Sequence, residues 1–261
     1  MNLSAQIAGE GPALIILHGL FGSGTNWRTI SRPWSEQHTV HLLDARNHGD
    51  SPHDDEMSYA AMAADVSEYI DSQCPDGAHL LGHSMGGKTA MLTALSSPQL
   101  VRSLIVADVA PVRYAHDFRA ELKAMRAVPL GTMKSRSEAD VVMAEHFDDR
   151  SLRAFLLQNL VRSSGGFHWR INIDALEAAM SELTGFEMPH TEYDGPCTFI
   201  YGGASVYVHA DHHQHIYRLF PNAELECLEG AGHWLHAEQP DAFSRAVVRH
   251  LQALQSVCSN N

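Results

Sequence analysis

The order of apolar segments predicts an α/β fold: a mainly parallel sheet flanked by helices, with a helical block inserted into it. Three observations carry this expectation. Up to residue 111, apolar runs of strand length alternate with amphipathic segments of helix length. Between Val112 and Glu192 the alternation stops and the pattern reads as helical throughout. After Pro196 the alternation resumes and runs to a closing helix from Pro240. A chain of 261 residues suits one large core with an insertion. The expected division is core at 1–111, a helical cap at 112–192 and the second part of the core at 193–261.

Each element has a local reason. Strands are expected at 3–7, 12–17, 38–43, 78–82 and 101–107, where short apolar runs end in turn residues. Helices are expected at about 26–36, 58–72 and 86–97, where apolar residues recur at helical spacing. In the cap, helical pieces fall near Phe118–Ala127, Glu138–His146, Leu152–Val161 and Ile173–Leu183. The breaks between them fall at Pro129-Leu130-Gly131, Asp148-Asp149 and Ser164-Gly165-Gly166. The last strands are expected at Cys197–Tyr201 and Glu224–Leu228.

The segment Leu81 to Thr89 fits two chemistries. Gly82-His83-Ser84-Met85-Gly86 is a G-x-S-x-G nucleophile elbow, in which a serine is thrown out on a tight strand-to-helix turn. Strain at that turn demands small neighbours, supplied by Gly82 and Gly86. The turn would leave the Met85 N–H at a helix N-terminus, facing a reacting oxyanion. Gly82 to Thr89 also spells a G-x-x-x-x-G-K-T phosphate loop, with Lys88 on phosphates and Thr89 on magnesium. Both expect a strand before and a helix after.

The rest of the chain favours the elbow. His18-Gly19-Leu20-Phe21-Gly22 follows the run Ala13 to Leu17 and offers a second oxyanion donor, the Leu20 N–H. Gly230-Ala231-Gly232-His233 places a candidate general base late in the chain. Asp108 ends the run Leu104 to Ala107. Ser84, Asp108, His233 is the chain order nucleophile, acid, base. A phosphate-loop enzyme would need none of these, and would want a second acidic strand end that nothing identifies.

With these motifs the chain resembles the α/β-hydrolase superfamily from Pro12 to about Leu254. Asp44-Ala45-Arg46-Asn47-His48-Gly49-Asp50-Ser51 resembles that superfamily's D-x-R-x-H-G-x-S loop. That loop, Asp108-Val109-Ala110-Pro111 and Gly232-His233-Trp234-Leu235-His236-Ala237-Glu238 together resemble the YbfF-type bacterial esterases. The resemblance implies an α/β-hydrolase fold and hydrolysis of small to medium acyl esters, with acyl-coenzyme A thioesters also open. It also bears on the acid. Most superfamily members carry it after the strand that here reads Cys197 to Tyr201, yet Gly202-Gly203-Ala204-Ser205 follows, and Asp211 already starts a helix. YbfF-type esterases take the acid from the preceding strand, at the position of Asp108, which is favoured over Asp211.

The expected mechanism is a serine carboxylesterase or thioesterase (EC 3.1). Ser84 is the nucleophile, His233 the base, Asp108 its orienter, and the Leu20 and Met85 N–H groups form the oxyanion hole. No cofactor or metal is required. The alternatives are a carbon–carbon bond hydrolase or cofactor-free perhydrolase on the same residues, and a non-catalytic ligand-binding member of the fold.

Composition bounds the partners. A net charge of −13 argues against nonspecific nucleic-acid binding. No segment has the length of a membrane span and no signal peptide is evident, so a cytoplasmic protein acting on a small molecule is expected. Cys74, Cys197, Cys227 and Cys258 share no metal spacing and read as reduced thiols. His209, His212, His213 and His215 read as solvated rather than as metal ligands. Arg113, Arg119, Lys123, Arg126, Lys134 and Arg136 form a basic strip, either a solvated face or an attractor of anionic substrates. His18, His236 and the Asp44–Arg46–His48 group are read as structural, and Lys88 as a helix-surface cation.

Overall fold

Residues 1–187 and 189–258 are described by a computed structural model. Seven strands form one sheet: β1 (Ala5–Ala8), β2 (Ala13–Leu17), β3 (Thr39–Leu43), β4 (Ala78–His83), β5 (Val101–Ala107), β8 (Cys197–Gly202) and β9 (Ala223–Leu228). Their spatial order is β1-β3-β2-β4-β5-β8-β9. Only β1 runs antiparallel, on the edge beside β3; the other pairings are parallel. The central strands are apolar runs because both faces are covered, and all six residues of β4 are buried.

The sheet is packed on both faces. One face meets helices α1 (Tyr59–Gln73), α2 (Met85–Ser96) and α8 (Ala210–Leu219), around Ile15, Leu80, Leu104, Met91, Ile70 and Phe220. The other face holds Leu14, Ile16, Trp27, Trp34, Leu81 and Ile105 against Phe243, Val247 and Leu251 of helix α10 (Pro240–Cys258). Short α9 (Leu235–Glu238) leads into it. Ser58 caps α1, its hydroxyl accepting the Ala61 N–H. Residues 24–36, expected as one helix, form short turns at Gly24–Trp27, Arg28–Ser31 and Arg32–Glu36, the last begun with Pro33 in its first turn.

Between β5 and β8 lies the inserted subdomain: α3 (Arg119–Ala127), α4 (Arg136–Ala144), α5 (Arg150–Leu157), α6 (Ile173–Ala178) and α7 (Met180–Leu183). It is not helical throughout. β6 (Leu160–Ser163) and β7 (Gly166–Trp169) form an antiparallel hairpin, so the helix expected to reach Val161 stops at Leu157. Ser164-Gly165 is the hairpin's turn, and Gly166, which opens β7, has φ +109°, a left-handed value that favours glycine.

The seam between cap and core is rich in methionine, with Met57, Met62 and Met85 facing Met125, Met133, Met143 and Met180. Unbranched thioethers fill irregular gaps between two units packed at a crevice. The basic strip is largely engaged. Arg119 pairs with Asp117, Arg126 with Asp174 and Glu177, and Arg136 donates to the Leu160 carbonyl at 2.6 Å. No helix among the described residues is long and apolar enough to cross a membrane. Cys74, Cys197 and Cys227 are free thiols; the Cys258 side chain lies outside the described residues.

Candidate active site

The parallel strands point their C-terminal ends at the cap, and β2 and β4 straddle the point where strand order reverses, the natural site for a crevice. Ser84 follows β4 with φ 53° and ψ −116°, a conformation rare for a residue with a side chain. The turn closes only because its neighbours are glycines. A Cβ on Gly82 would come within 2.2 Å of the Gly86 carbonyl oxygen, and one on Gly86 within 2.3 Å of the Leu17 oxygen. A Cβ on Gly19 would press on the His83 ring at 2.9 Å. Met85 N–H opens α2, and Leu20 N–H lies in the loop after β2. Neither donates to a protein acceptor among the described residues.

Asp108 follows β5 and is also strained, at φ 49°. Its carboxylate accepts three hydrogen bonds: from His233 Nδ1–H at 2.7 Å, the Gly202 N–H at 3.0 Å and the Ser205 hydroxyl at 2.5 Å. An ionised carboxylate is acceptor-only, so His233 carries its proton on Nδ1 and leaves Nε2 free to accept. Ser84 and His233 line one cavity of about 270 Å³. The structure therefore brings together Ser84, Asp108, His233, Leu20 and Met85. It leaves Asp211 in the exposed first turn of α8.

The comparisons bear on the fold and the family. The model of an alpha/beta hydrolase family matches residues 14–246. The chain belongs to the alpha/beta hydrolase family. It is 40% identical to the sn-1-specific diacylglycerol lipase ABHD11 of Mus musculus over 248 residues, covering 92% of this chain and 81% of that protein. It is 37% identical to esterase YbfF of Escherichia coli K12, over 96% of this chain and 98% of that one. The solved structure of a marine microorganism esterase superposes with a TM-score of 0.92 at 38% identity, covering 95% of this chain and 98% of that one. This alpha/beta hydrolase is thus related to the YbfF-type esterases.

Several contacts in this hydrolase lay beyond sequence reasoning. The Tyr207 ring stacks on His233 at 3.8 Å between centroids and 17° between planes. The His83 Nε2–H donates to the His233 carbonyl at 2.9 Å. Burial holds the His83 pKa far below the usual imidazole range, so the ring is neutral and needs only that acceptor. The loop bearing His233 is pinned again by Glu238, which accepts the Gly232 N–H at 2.6 Å and the Trp234 N–H at 3.2 Å. Glu121 of α3 lines the cavity, with a buried Oε2 that makes no hydrogen bond and burial raising its pKa.

The residues read as structural hold the site from behind. His18 Nε2 accepts the Ala45 N–H at 3.0 Å, and burial lowers its pKa to about 4. Asp44 accepts the Gly24 and Asp50 N–H groups at 2.7 and 2.8 Å. Arg46 grips Asp65 through two hydrogen bonds. His48 Nε2 accepts the Phe21 N–H at 3.3 Å, fixing the loop that carries Leu20. His236 is half-buried and stacks on Trp27 at 4.4 Å.

Lys88 departs from its expected place. It is not a surface cation but is 2% exposed, donating to the Gly185 and Thr184 carbonyls at 2.5 and 3.2 Å. Thr89 donates to the Met85 carbonyl at 3.0 Å. The two side chains that would serve a phosphate loop are thus turned into the fold. The cause is the position of α2, which is buried on nearly every side and offers Lys88 no solvent face.

Proposed function

We propose that this chain is a serine esterase that cleaves carboxylic esters of small to medium acyl chains through an acyl-enzyme. The observation that carries this reading is a strained Ser84 sharing a cavity with a His233 whose proton Asp108 fixes on Nδ1. Ser84 Oγ attacks the acyl carbonyl while His233 Nε2 takes the hydroxyl proton. The carbonyl oxygen becomes the oxyanion that the Leu20 and Met85 N–H groups receive. Each such donor is worth about 3–4 kcal/mol in the transition state. The intermediate collapses, the alkoxide leaves with the proton from His233, and the acyl group stays on Ser84. Water, deprotonated by the same nitrogen, then releases the acid and restores the serine.

Asp108 orients the imidazole and stabilises its cationic form without itself taking the proton. The cavity, at about 270 Å³, favours small to medium acyl groups. The names of the mouse and E. coli relatives, a diacylglycerol lipase and an esterase, support ester bonds as the target class. Thioesters fit the same chemistry. With an acidic chain and Arg119 and Arg126 of the cap paired to carboxylates, a small neutral or singly charged substrate in the cytoplasm is the setting we propose.

The test is hydrolysis of p-nitrophenyl esters across acyl lengths by wild type and Ser84→Ala. Wild-type turnover peaking at short to medium chains, and lost by about a thousandfold or more in the variant, is expected. Equal turnover in both proteins would refute the mechanism.

A further inference from the structure

We propose that Tyr207 is a positioning residue whose ring face stabilises the cationic imidazole that His233 becomes in the transition state. The inference rests on the reading of His233 as general base.

The in-plane positions of the base are both occupied by the triad. Asp108 meets Nδ1, and Ser84 gives its proton to Nε2. The two faces of the ring remain. One is covered by Tyr207, parallel to within 17° and with 3.8 Å between ring centroids. Any flat side chain at that distance would pack on a neutral imidazole. The face of a phenol does more, because its π electrons attract a cation. The contact therefore strengthens when His233 takes the serine proton, and only interactions that strengthen toward the transition state raise the rate.

The groups around the imidazole leave that role to Tyr207. His83, at the end of β4, meets the ring with centroids 4.7 Å apart and planes at 39°, and burial keeps it neutral. His236 of α9 lies 4.8 Å from His83, its own pKa lowered to about 4 by burial. His116, before α3, touches the Tyr207 hydroxyl, and burial lowers its pKa too. Glu121 of α3 lines the same cavity. Among the described residues, the charged partner of the ring is the Asp108 carboxylate, on its edge.

Tyr207 is fixed by bonds that do not involve His233. Its N–H donates to Ser205 Oγ at 3.2 Å, the hydroxyl that itself donates to Asp108. Its carbonyl accepts the Tyr114 O–H at 2.8 Å, and Tyr114 Oη accepts the Ala110 N–H at 2.8 Å. Its hydroxyl meets His116 Nε2 at 2.7 Å. The plate is thus tied to the segment that carries the acid and to the loop before α3. Burial, with the charges of Asp108 and Glu121, raises the phenol pKa above its ordinary value of 10, so the ring offers a π face and no phenolate. A face held in place beforehand needs no reorganisation when the proton arrives.

The decisive comparison is between two rings of one shape. Tyr207→Phe keeps the electron-rich face, whereas pentafluorophenylalanine installed at position 207 keeps the shape and reverses the polarity of the face. Both lose the hydroxyl contact with His116. Profiles of kcat/KM for p-nitrophenyl butyrate would be measured across pH 5–9, where the acidic limb reports protonation of the base in the free enzyme. Tyr207→Phe is expected to stay within about threefold of wild type, with the limb in place. The fluorinated protein is expected to lose about tenfold in plateau kcat/KM, the worth of a partly desolvated cation–π contact. Its limb should lie about one pH unit lower, because one unit is the same tenfold against the cation. Tyr207→Leu, which has no π face, should follow the fluorinated protein. Two ring variants with equal plateaus and equal limbs overturn the inference and make Tyr207 a packing plate. A slower fluorinated or leucine variant whose limb is unmoved, or raised, overturns it as well. A wild type that leaves p-nitrophenyl butyrate uncleaved, or cleaves it without an acidic limb, would instead remove the reading of His233 beneath it.

Discussion

The ends of β5 and β8 lie side by side, and they divide between them a buried carboxylate and its hydrogen-bond donors. β5 ends in Asp108, a strained and buried acid. β8 ends in Gly202 to Ser205, which carries no charge but donates twice to that same carboxylate, through the Gly202 N–H and the Ser205 hydroxyl. On the proposed assignment the acid stands after β5, where the resemblance to the wider superfamily would have placed it after β8, and two of its donors stand at the latter place. The geometry permits that arrangement because the strands are in register at Ala107 and Ile200, and the Asp108 N–H bonds to the Ile200 carbonyl at 2.9 Å. On that assignment the base requires an anion at one point in space, and the end of β5 supplies it.

The largest effect should come from removing the charge. Asp108→Asn is expected to lower kcat by about a thousandfold or more, because an amide oriented by Gly202 and Ser205 can hold the wrong imidazole tautomer. Asp211→Asn, in the exposed turn beyond β8, should change kcat/KM by less than about twofold, as surface changes remote from a site generally do. The opposite pattern in steady-state assays would return the acid to the usual strand.

A smaller effect should come from the donor. Ser205→Ala removes one hydroxyl from a buried carboxylate, a bond worth about 1.5–3 kcal/mol, so kcat should fall about ten- to a hundredfold while KM stays near its wild-type value. The loss should not approach that of Asp108→Asn, since Gly202 N–H and His233 remain as donors. Equal losses in the two variants would make Ser205 more than a donor to the acid.

The smallest and most general effect concerns the neutral histidines around both strand ends. Burial holds His18 and His236 at about 4 and His48 at about 3, against an ordinary value of 6.5, and lowers His83 further. Above pH 6.5 these rings are neutral in folded and unfolded chains alike and cost nothing. Below it the unfolded chain takes up protons that the folded chain refuses, so stability falls as pH drops from 6.5 toward 4. Urea midpoints at pH 7.5, 6 and 5 should decline in that order. A flat series would mean that these rings gain partners or solvent when protonated.

Much of this was legible in the amino-acid order. The glycines around Ser84 announce a turn that tolerates no side chain, and Asp108 stands directly after an apolar run. The strand ends could therefore be assigned from local pattern. Contacts set by distant packing could not. Ser205 lies 97 residues from Asp108 and meets it only because β5 and β8 are neighbours. Tyr207, after β8, reaches His233, after β9, because those two strands are also neighbours. Lys88 looked solvated because helical spacing alone does not reveal that α2 is covered by the cap as well as the sheet. The hairpin Leu160–Ser163 with Gly166–Trp169 was hidden because two short strands are too brief to outweigh the surrounding helical pattern.

The central claim is that Ser84 alone bears the acyl group, while the serine at the end of β8 serves only the acid. Labelling with a fluorophosphonate, followed by peptide mass spectrometry of wild type and Ser84→Ala, tests it directly. One adduct on the peptide containing Ser84, absent from the variant, is the predicted result. An unlabelled wild type, or an adduct on Ser205, would contradict it.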